Sequence, residues 1–204
     1  ICRIIRKLVF YTSSLFPGLI VRFAYKKLTS PQISKIRPHE SVVLEEAKQS
    51  EIAFRGFDIR LYEWSGGAKT VLLVHGWEGQ AGNFADLISK LRADYYTVYA
   101  FDGPSHGFSS KGRASLFEFT ELVSLLIKKY QVDKIVSHSF GGVATTYALF
   151  SNPSYAVSRY VMLTTPNRFV ERINQVADAV GIAPRAVKML QRKIEKLTTL
   201  MQSH

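Results

Sequence analysis

Residues 133–147 read D-K-I-V-S-H-S-F-G-G-V-A-T-T-Y, and the rest of the chain is organised around them. The apolar pair Ile135 and Val136 leads into a turn of small and polar residues, and this turn passes at once into a segment compatible with a helix. The order predicts a strand, a sharp turn and a helix, with Ser139 at the corner.

A serine at such a corner, known as a nucleophile elbow, is exposed by its backbone geometry. The residues two before and two after it, here Ser137 and Gly141, must be small so that the strand and the helix can approach each other. The hydroxyl group then stands clear of the sheet, and the N–H of Phe140 at the helix start can face a developing oxyanion. The alternative is a buried serine in a glycine-rich turn, and Ser137 replaces the usual glycine at the first motif position.

The composition is that of an ordinary globular protein. The 204 residues have room for one domain with a sizeable core, or for most of a larger one. The single cysteine, Cys2, excludes an internal disulfide framework and a multi-cysteine metal site, and we expect no metal and no cofactor. This cysteine content is compatible with a reducing compartment. We expect a cytoplasmic location, with membrane association left open.

The net charge of +11 lies in the two flanks of the chain. Residues 1–40 carry +7 and residues 168–204 carry +4, whereas residues 41–167 hold twelve basic and twelve acidic side chains. This neutral centre does not predict a basic stripe across a nucleic-acid-binding face, so we expect no nucleic-acid partner. The basic flanks fit an acidic partner, a membrane surface or water.

The N-terminal flank resembles a membrane-seeking segment. An uncharged run, residues 8–21, lies between basic clusters and contains Pro17-Gly18. This run is shorter than the roughly 20 apolar residues that a bilayer span needs, and no signal-peptide cleavage site is evident. Two hypotheses stay open for residues 1–30: two short helices packed on the domain, or two helices in a membrane interface. The initial Ile1, in place of Met, suggests that the natural N-terminus is missing.

Strand and helix patterns alternate after a linker at residues 29–38 and a polar, helix-compatible segment at residues 40–49. The alternation predicts an α/β fold, a mostly parallel sheet with helices on both faces. A hairpin is predicted around Arg55-Gly56, because apolar residues alternate on either side of this pair. The further predicted elements are a strand at 70–74, a helix at 84–91, a strand at 96–101, a helix at 116–126, the corner at Ser139 and a strand at 159–165.

Three polar loops follow consecutive parallel strands at their C-terminal ends, which form the edge at which such sheets bind ligands. They read H-G-W-E-G at residues 75–79, D-G-P-S-H-G-F-S at residues 102–109 and S-H-S-F-G-G at residues 137–142. In this order and spacing the loops resemble those of the α/β-hydrolase fold family. The resemblance covers about residues 51–170.

The resemblance implies a serine hydrolase, esterase-like or lipase-like, with Ser139 as the catalytic nucleophile. It also implies an oxyanion hole made by the backbone N–H groups of Trp77 and Phe140, each typically worth about a hundredfold to a thousandfold in rate. Other residues of the three motifs are implied to shape the loops near the site, and these are His75, Gly76, Asp102, His106 and Gly141.

None of the nearby titratable side chains is favoured as the general base. In the family, the residues that correspond to His75 and His106 organise their loops, and Asp102 is expected to cap a turn. His138 precedes the nucleophile directly, so its side chain is expected to point away from that of Ser139. Glu78 could approach the pocket, but a solvated loop position is favoured for it.

In the family, the acid and the histidine base follow the serine on loops after two later strands. Residues 168–180 and 185–201 instead show the pattern of helices that cap an active site, and the histidine beyond the elbow is His204, the last residue. We therefore expect the chain to end inside the cap region, with an exposed sheet edge at residues 160–165. Such a chain would be nearly inert alone, since losing the serine–histidine unit removes about a millionfold in turnover.

These patterns predict three segments: a basic, apolar segment with a linker (1–38), an incomplete α/β-hydrolase core (39–167) and a helical cap segment (168–204). The favoured function is hydrolysis of a small-molecule acyl ester through Ser139. One alternative is a non-catalytic binding or membrane-associated module on the same fold, and another is a related reaction such as peptide or thioester cleavage. Peripheral membrane contact through residues 1–30 stays open, and the sequence does not determine the oligomeric state.

Overall fold

The computed structural model describes residues 3–28, 31, 35–165 and 169–202. The chain forms two compact units, residues 30–165 and residues 1–29 together with 166–204. The first unit contains the sheet and its covering helices, and the second is helical in its described part. The basic residues of positions 1–29 and those of positions 168–204 thus belong to one unit.

Six strands of the described chain form one sheet. They are β1 (Lys48–Phe54), β2 (Phe57–Trp64), β3 (Thr70–Val74), β4 (Thr97–Phe101), β5 (Lys134–His138) and β6 (Arg159–Leu163). The order across the sheet is β1-β2-β4-β3-β5-β6. β2 runs antiparallel to β1 and β4, whereas β4, β3, β5 and β6 run parallel to one another. The predicted hairpin and the mostly parallel sheet are confirmed.

The central strand β3 is buried on both faces of the sheet. Its side chains alternate, so Val71 and Leu73 enter one hydrophobic core while Leu72 and Val74 enter the other. All four are at most 1% exposed. A fully buried side chain of this size stabilises the fold by about 1.5–3 kcal/mol, which explains why a continuous Val/Leu run forms the centre of the sheet.

Helices cover both faces of the sheet, as predicted. The described helices are α1 (Arg3–Leu15), α2 (Pro17–Leu28), α3 (Pro38–Glu45), α4 (Ala85–Ala93), α5 (Leu116–Tyr130), α6 (Phe140–Ser151), α7 (Phe169–Val180) and α8 (Pro184–Gln202), and a 3-10 turn (Ala81–Phe84) precedes α4. Ile88 of α4 packs in the hydrophobic core that contains Val71, and Leu44 of α3 packs there as well. Leu122 of α5 packs in the other core, which contains Leu72, and Ala144 of α6 packs there as well.

The helix predicted at residues 40–49 is shorter in the structure. α3 ends at Glu45, and Lys48 already pairs with Glu63 in the β1–β2 hairpin. The C-terminal part of this polar segment has no apolar helical face to bury, so pairing of its backbone with β2 replaces the last helical turn. The prediction extended the helix too far because polar residues show no periodicity that marks a boundary.

Strand β6 forms one edge of the sheet. Among the described strands it pairs with β5 alone, and its Val161, Met162 and Leu163 side chains are exposed. The exposed edge predicted at residues 160–165 is therefore present among the described residues, but it is shorter than predicted because the strand ends at Leu163. An open edge with apolar side chains is a surface that another chain or segment can pair with.

The helical unit has a small core of its own. Val21 of α2 packs there with Ala186 and Leu190 of α8. The helices predicted within residues 1–30, 168–180 and 185–201 are present as α1, α2, α7 and α8, whereas His204 lies outside the described residues, as does part of the predicted linker.

No single helix among the described residues meets both the length and the apolar-composition requirements of a membrane span. The pair formed by Arg3–Leu15 and Pro17–Lys26 meets them together, with a bend of 113° between its two helices.

Candidate active site

The corner predicted at Ser139 is present and its backbone is strained. β5 ends at His138 and α6 begins at Phe140, and Ser139 between them has φ 50° and ψ −118°. A non-glycine residue in such a region costs on the order of 1–3 kcal/mol and persists only where its surroundings hold it. Here the N–H of Ser139 donates to the carbonyl oxygen of Leu163 at 2.9 Å, and the N–H of Gly142 donates to that of Ser139 at 2.9 Å.

The two glycines after the serine allow a close approach of α6 to its neighbours. A Cβ atom on Gly141 would collide with the carbonyl oxygen of His75 and would lie 2.7 Å from that of Val74, at the end of β3. A Cβ atom on Gly142 would collide with the side chain of Thr165. The small residue required at position 141 therefore has a direct steric cause, and position 142 has the same requirement, which was not predicted from the motif.

The serine that replaces the first glycine of the motif has a specific partner. Ser137 is fully buried, and its Oγ lies 2.9 Å from the phenolic oxygen of Tyr160 on β6. The Tyr160 hydroxyl donates to the carbonyl oxygen of Gly142 at 2.9 Å, so the Ser137 hydroxyl must donate to Tyr160. The polar side chain at position 137 is thus satisfied, and one phenol connects both sides of the corner.

The first loop is held by His75, which is buried. Its Nε2 accepts the N–H of Gly103 at 2.8 Å, so the proton must be on Nδ1, which donates to the carbonyl oxygen of Gly76 at 2.7 Å. Desolvation lowers the pKa of His75 to about 4. A neutral imidazole with both nitrogens engaged organises this loop and is not available as a general base.

Gly76 brings the first loop against the corner. A Cβ atom at this position would lie 3.1 Å from the Cβ of Ser139 and 3.0 Å from Nδ1 of His138. The ring of Trp77, the next residue, makes an edge contact with that of Phe140 at 5.2 Å between centroids. The two residues expected to supply oxyanion donors are therefore neighbours, and the ring of His138 lies against the loop.

Asp102 caps the second loop, as expected from the sequence. Its buried carboxylate accepts hydrogen bonds from the hydroxyl of Tyr62 at 3.1 Å, the N–H of Ala81 at 2.8 Å and the N–H of Phe108 at 2.9 Å. Burial raises the pKa of Asp102, and the hydrogen bonds oppose that effect. A Cβ atom on Gly107 would collide with this carboxylate, which explains the glycine after His106.

His106 is buried within the second loop. Its Nδ1 donates to the carbonyl oxygen of Pro104 at 2.9 Å, and among the described residues its Nε2 has no hydrogen-bond partner. Its ring contacts those of His75 at 5.0 Å and Trp77 at 4.9 Å, measured between centroids. Desolvation lowers the pKa of His106 to about 3, so the ring is neutral and serves to shape the turn.

An aromatic cluster lines the space beside the corner. Phe119 of α5 contacts the rings of Phe140 at 5.5 Å, His75 at 5.3 Å and His106 at 5.8 Å. Phe119 was not predicted as a site residue, because its helical spacing shows only that it belongs to a core face. Apolar surroundings of this kind exclude water and strengthen the interaction of N–H dipoles with charge.

In the part of the chain that the structure describes, Ser139 has two candidate donors beside it and no base. The N–H of Phe140 is in the first turn of α6, where N–H groups have no acceptor within the helix, and Trp77 lies in the adjoining loop. Within the described residues, no histidine makes a hydrogen bond to Oγ of Ser139. The same residues contain no group of three or more His, Cys, Asp or Glu that could hold a metal ion.

Comparison with known proteins places these features in a family. Residues 71–200 match the sequence model of the alpha/beta hydrolase family. The chain is 32% identical over 146 residues to the dihydrolipoyllysine-residue acetyltransferase component of an acetoin cleaving system from Cupriavidus necator, covering 70% of this chain and 38% of that protein. It is 30% identical over 105 residues to a pimeloyl-[acyl-carrier protein] methyl ester esterase from Xanthomonas campestris, covering 52% of this chain and 40% of that protein.

A solved structure shows the same fold. The crystal structure of the epoxide hydrolase VrEH1 from Vigna radiata superposes with a TM-score of 0.56 at 20% identity, covering 68% of this chain and 47% of that one. The chain spans about two fifths of the length of the curated relatives named above. With the sheet, the corner and the family match in agreement, the chain belongs to the alpha/beta hydrolase family.

Proposed function

We propose that the protein hydrolyses carboxylic acyl esters of small molecules, with Ser139 as the nucleophile. The observation that carries this proposal is the strained backbone of Ser139, at φ 50°, which hydrogen bonds to Leu163 and Gly142 hold in place beside the loop of Gly76. Strain of this kind, maintained by its surroundings, is typical of functional sites. A serine with only a structural role in a turn would not require a strained backbone.

The proposed reaction proceeds in two steps. Oγ of Ser139 adds to the ester carbonyl as its proton passes to a base, and collapse of the tetrahedral intermediate expels the alcohol, which takes up that proton. Water then adds to the acyl-serine and releases the carboxylic acid and the free serine. In both steps the N–H groups of Phe140 and Trp77 stabilise the negative oxygen, each by about a hundredfold to a thousandfold in rate.

The base and its orienting acid are expected outside the described residues. His75 and His106 are neutral, enclosed and engaged in their own loops, and His138 lies against Gly76. We therefore propose that the described units alone are nearly inert, since the oxyanion donors without a base retain only about a thousandfold to ten-thousandfold over water.

Similarity to the esterase from Xanthomonas campestris supports an ester rather than another acyl group. Peptide and thioester cleavage would use the same described residues, so the substrate class depends on this similarity. A non-catalytic member of the fold is the competing proposal from another class. It is favoured only by the lack of a base among the described residues.

A fluorophosphonate probe tests the nucleophile directly. We expect the full-length protein to be labelled at Ser139, as located by peptide mass spectrometry, and to hydrolyse p-nitrophenyl esters. Ser139→Ala should abolish both signals, whereas Ser151→Ala, at the exposed end of the same helix, should leave both unchanged. Absence of labelling in the wild-type protein, or equal labelling of Ser139→Ala, would favour the non-catalytic module.

A further inference from the structure

Helix α1 buries a serine and exposes most of its apolar side chains. The residue that it buries is Ser13, whose Oγ accepts the N–H of Ala183 at 2.8 Å and donates to the carbonyl oxygen of Phe10 at 3.0 Å. A helix on a water-facing surface normally buries its apolar stripe and exposes its polar residues. Here a serine is the side chain that α1 buries within the helical unit.

The apolar stripe of α1 faces outward. Ile4, Leu8, Tyr11 and Leu15 follow the i, i+4, i+7, i+11 spacing of one helical face, and they are 77%, 63%, 63% and 73% exposed. Ser13 is two positions from Tyr11 and from Leu15, about 200° around the helix, so the stripe lies opposite the buried contact. The exposure of the stripe is therefore fixed by how the helix packs.

The outward apolar surface continues past the bend. Phe16 between the helices is exposed, and so are Leu19 and Phe23, which are one turn apart on α2. The inner face of α2 is already occupied, since Val21 packs with α8. Seven of the exposed apolar residues of this segment are together called the outward stripe: Ile4, Leu8, Tyr11, Leu15, Phe16, Leu19 and Phe23.

All the charged side chains of α1 and α2 are positive. Residues 3–28 contain six basic side chains and no acidic one. The basic residues are Arg3, Arg6, Lys7, Arg22, Lys26 and Lys27. Arg22 lies three residues after Leu19 and one before Phe23, so a cation is placed on the exposed apolar face of α2 itself. An acidic surface with an apolar interior is complementary to this combination.

We propose that α1 and α2 are a docking surface for an anionic lipid bilayer. The outward stripe enters the boundary between headgroups and acyl chains, about 5–10 Å deep, and the basic side chains contact acidic headgroups. α1 and α2 then lie along the membrane, in keeping with the finding that neither helix alone can cross it. This inference does not depend on the proposed hydrolase activity.

Vesicle co-sedimentation of the full-length protein tests the proposal. We expect binding to phosphatidylcholine vesicles that contain phosphatidylglycerol, and weaker binding to pure phosphatidylcholine or at high salt. Replacing Lys7 and Arg22 by Gln should weaken binding about fivefold for each cation, and the double variant Leu8→Ser/Leu15→Ser should weaken it roughly tenfold or more. Because both leucines are exposed, circular dichroism should be unchanged.

Matched controls come from the other unit. Phe150→Ser removes a side chain that is 82% exposed, and Lys128→Gln removes an exposed cation of α5, so both should bind vesicles like the wild type. Equal binding to neutral and anionic vesicles, or wild-type binding by Leu8→Ser/Leu15→Ser, would overturn the proposal. Two further results would overturn it. The first is a wild-type protein that binds no vesicles but forms a dimer that Leu8→Ser/Leu15→Ser abolishes. The second is a bound protein that resists alkaline extraction, as a membrane-spanning protein does.

Discussion

The hydroxyl group of Ser137 donates a hydrogen bond to the phenolic oxygen of Tyr160, at 2.9 Å, and so connects the strand before Ser139 with the last described strand of the sheet. Because the same phenol donates to the carbonyl oxygen of Gly142, it spans the corner from one side to the other. The strained serine lies between its two anchor points. The position of the nucleophile therefore depends on β6 as well as on the motif.

Tyr160→Phe should loosen this corner without changing its shape. The variant leaves the Ser137 hydroxyl and the Gly142 carbonyl without their partner, so we expect a loss of about 1–3 kcal/mol in the free energy of unfolding, measured by urea denaturation. The labelling rate of Ser139 by a fluorophosphonate should fall in the fraction that remains folded.

Tyr155→Phe is the control for this prediction. It removes a comparable hydrogen bond, from the Tyr155 hydroxyl to the carbonyl oxygen of Ser124 at 3.2 Å, away from the corner. This variant should lose stability without a change in labelling rate. If both variants label like the wild type, the Tyr160 phenol has no part in positioning the serine.

Gly141→Ala should destabilise the protein through a steric clash. The added methyl group meets the backbone oxygens of His75 and Val74, which cannot move without disrupting the end of β3. We expect a cost of about 1–3 kcal/mol or more in chemical denaturation. Gly18→Ala, in α2, adds the same methyl group where no atom lies within 4 Å, and it should be neutral or slightly stabilising. Equal effects of the two variants would contradict the close approach of α6 to β3.

Asp102→Asn distinguishes a turn cap from a triad acid. An amide in place of the carboxylate puts an N–H₂ group against the N–H of Ala81 or Phe108, so we expect a loss of about 1–3 kcal/mol in stability. Ester hydrolysis per folded molecule should fall less than tenfold. A triad acid would lose about ten-thousandfold on the same change, and a loss of that size would assign the catalytic role to Asp102. Asp58→Asn, at an exposed acid of β2, is the control for the loss of charge.

Much of the fold could be predicted because its cause is local in the sequence. The Val/Leu run of β3 is continuous since both faces of that strand are buried, and the corner is recognisable since Ser137 and Gly141 must be small. Tyr160 could not be predicted as the partner of Ser137. The two residues are 23 positions apart, and only the parallel pairing of β5 with β6 brings them together.

The family motifs name candidate site residues, whereas residues that packing alone places beside them could not be named from the sequence. Phe119 lies on the core face of α5, and its apolar spacing does not show that it will contact His75 and His106. The end of α3 was missed because polar residues carry no periodicity. The catalytic roles of Ser139, Trp77 and Phe140 stay predictions until the probe experiment is done.

The enclosed histidines predict a pH dependence of stability. The pKa of His75 falls from 6.5 to about 4 on folding, because burial disfavours its charged form. Between these two values the unfolded chain binds the proton more tightly than the folded one. The stability that His75 contributes is therefore complete above pH 6.5 and is lost as the pH falls toward 4, by about 3 kcal/mol.

Denaturation of His75→Gln and wild-type protein at several pH values measures this contribution. The variant is less stable at pH 7, where its loop contacts with Gly103 and Gly76 are weakened, but the difference from wild type should narrow as the pH falls from 6.5 to 4. His39→Gln, which removes an exposed histidine of the same unit, is measured beside it as the comparison variant. A constant difference between His75→Gln and wild type across that interval would show that His75 takes up its proton as readily in the folded protein as in the unfolded chain.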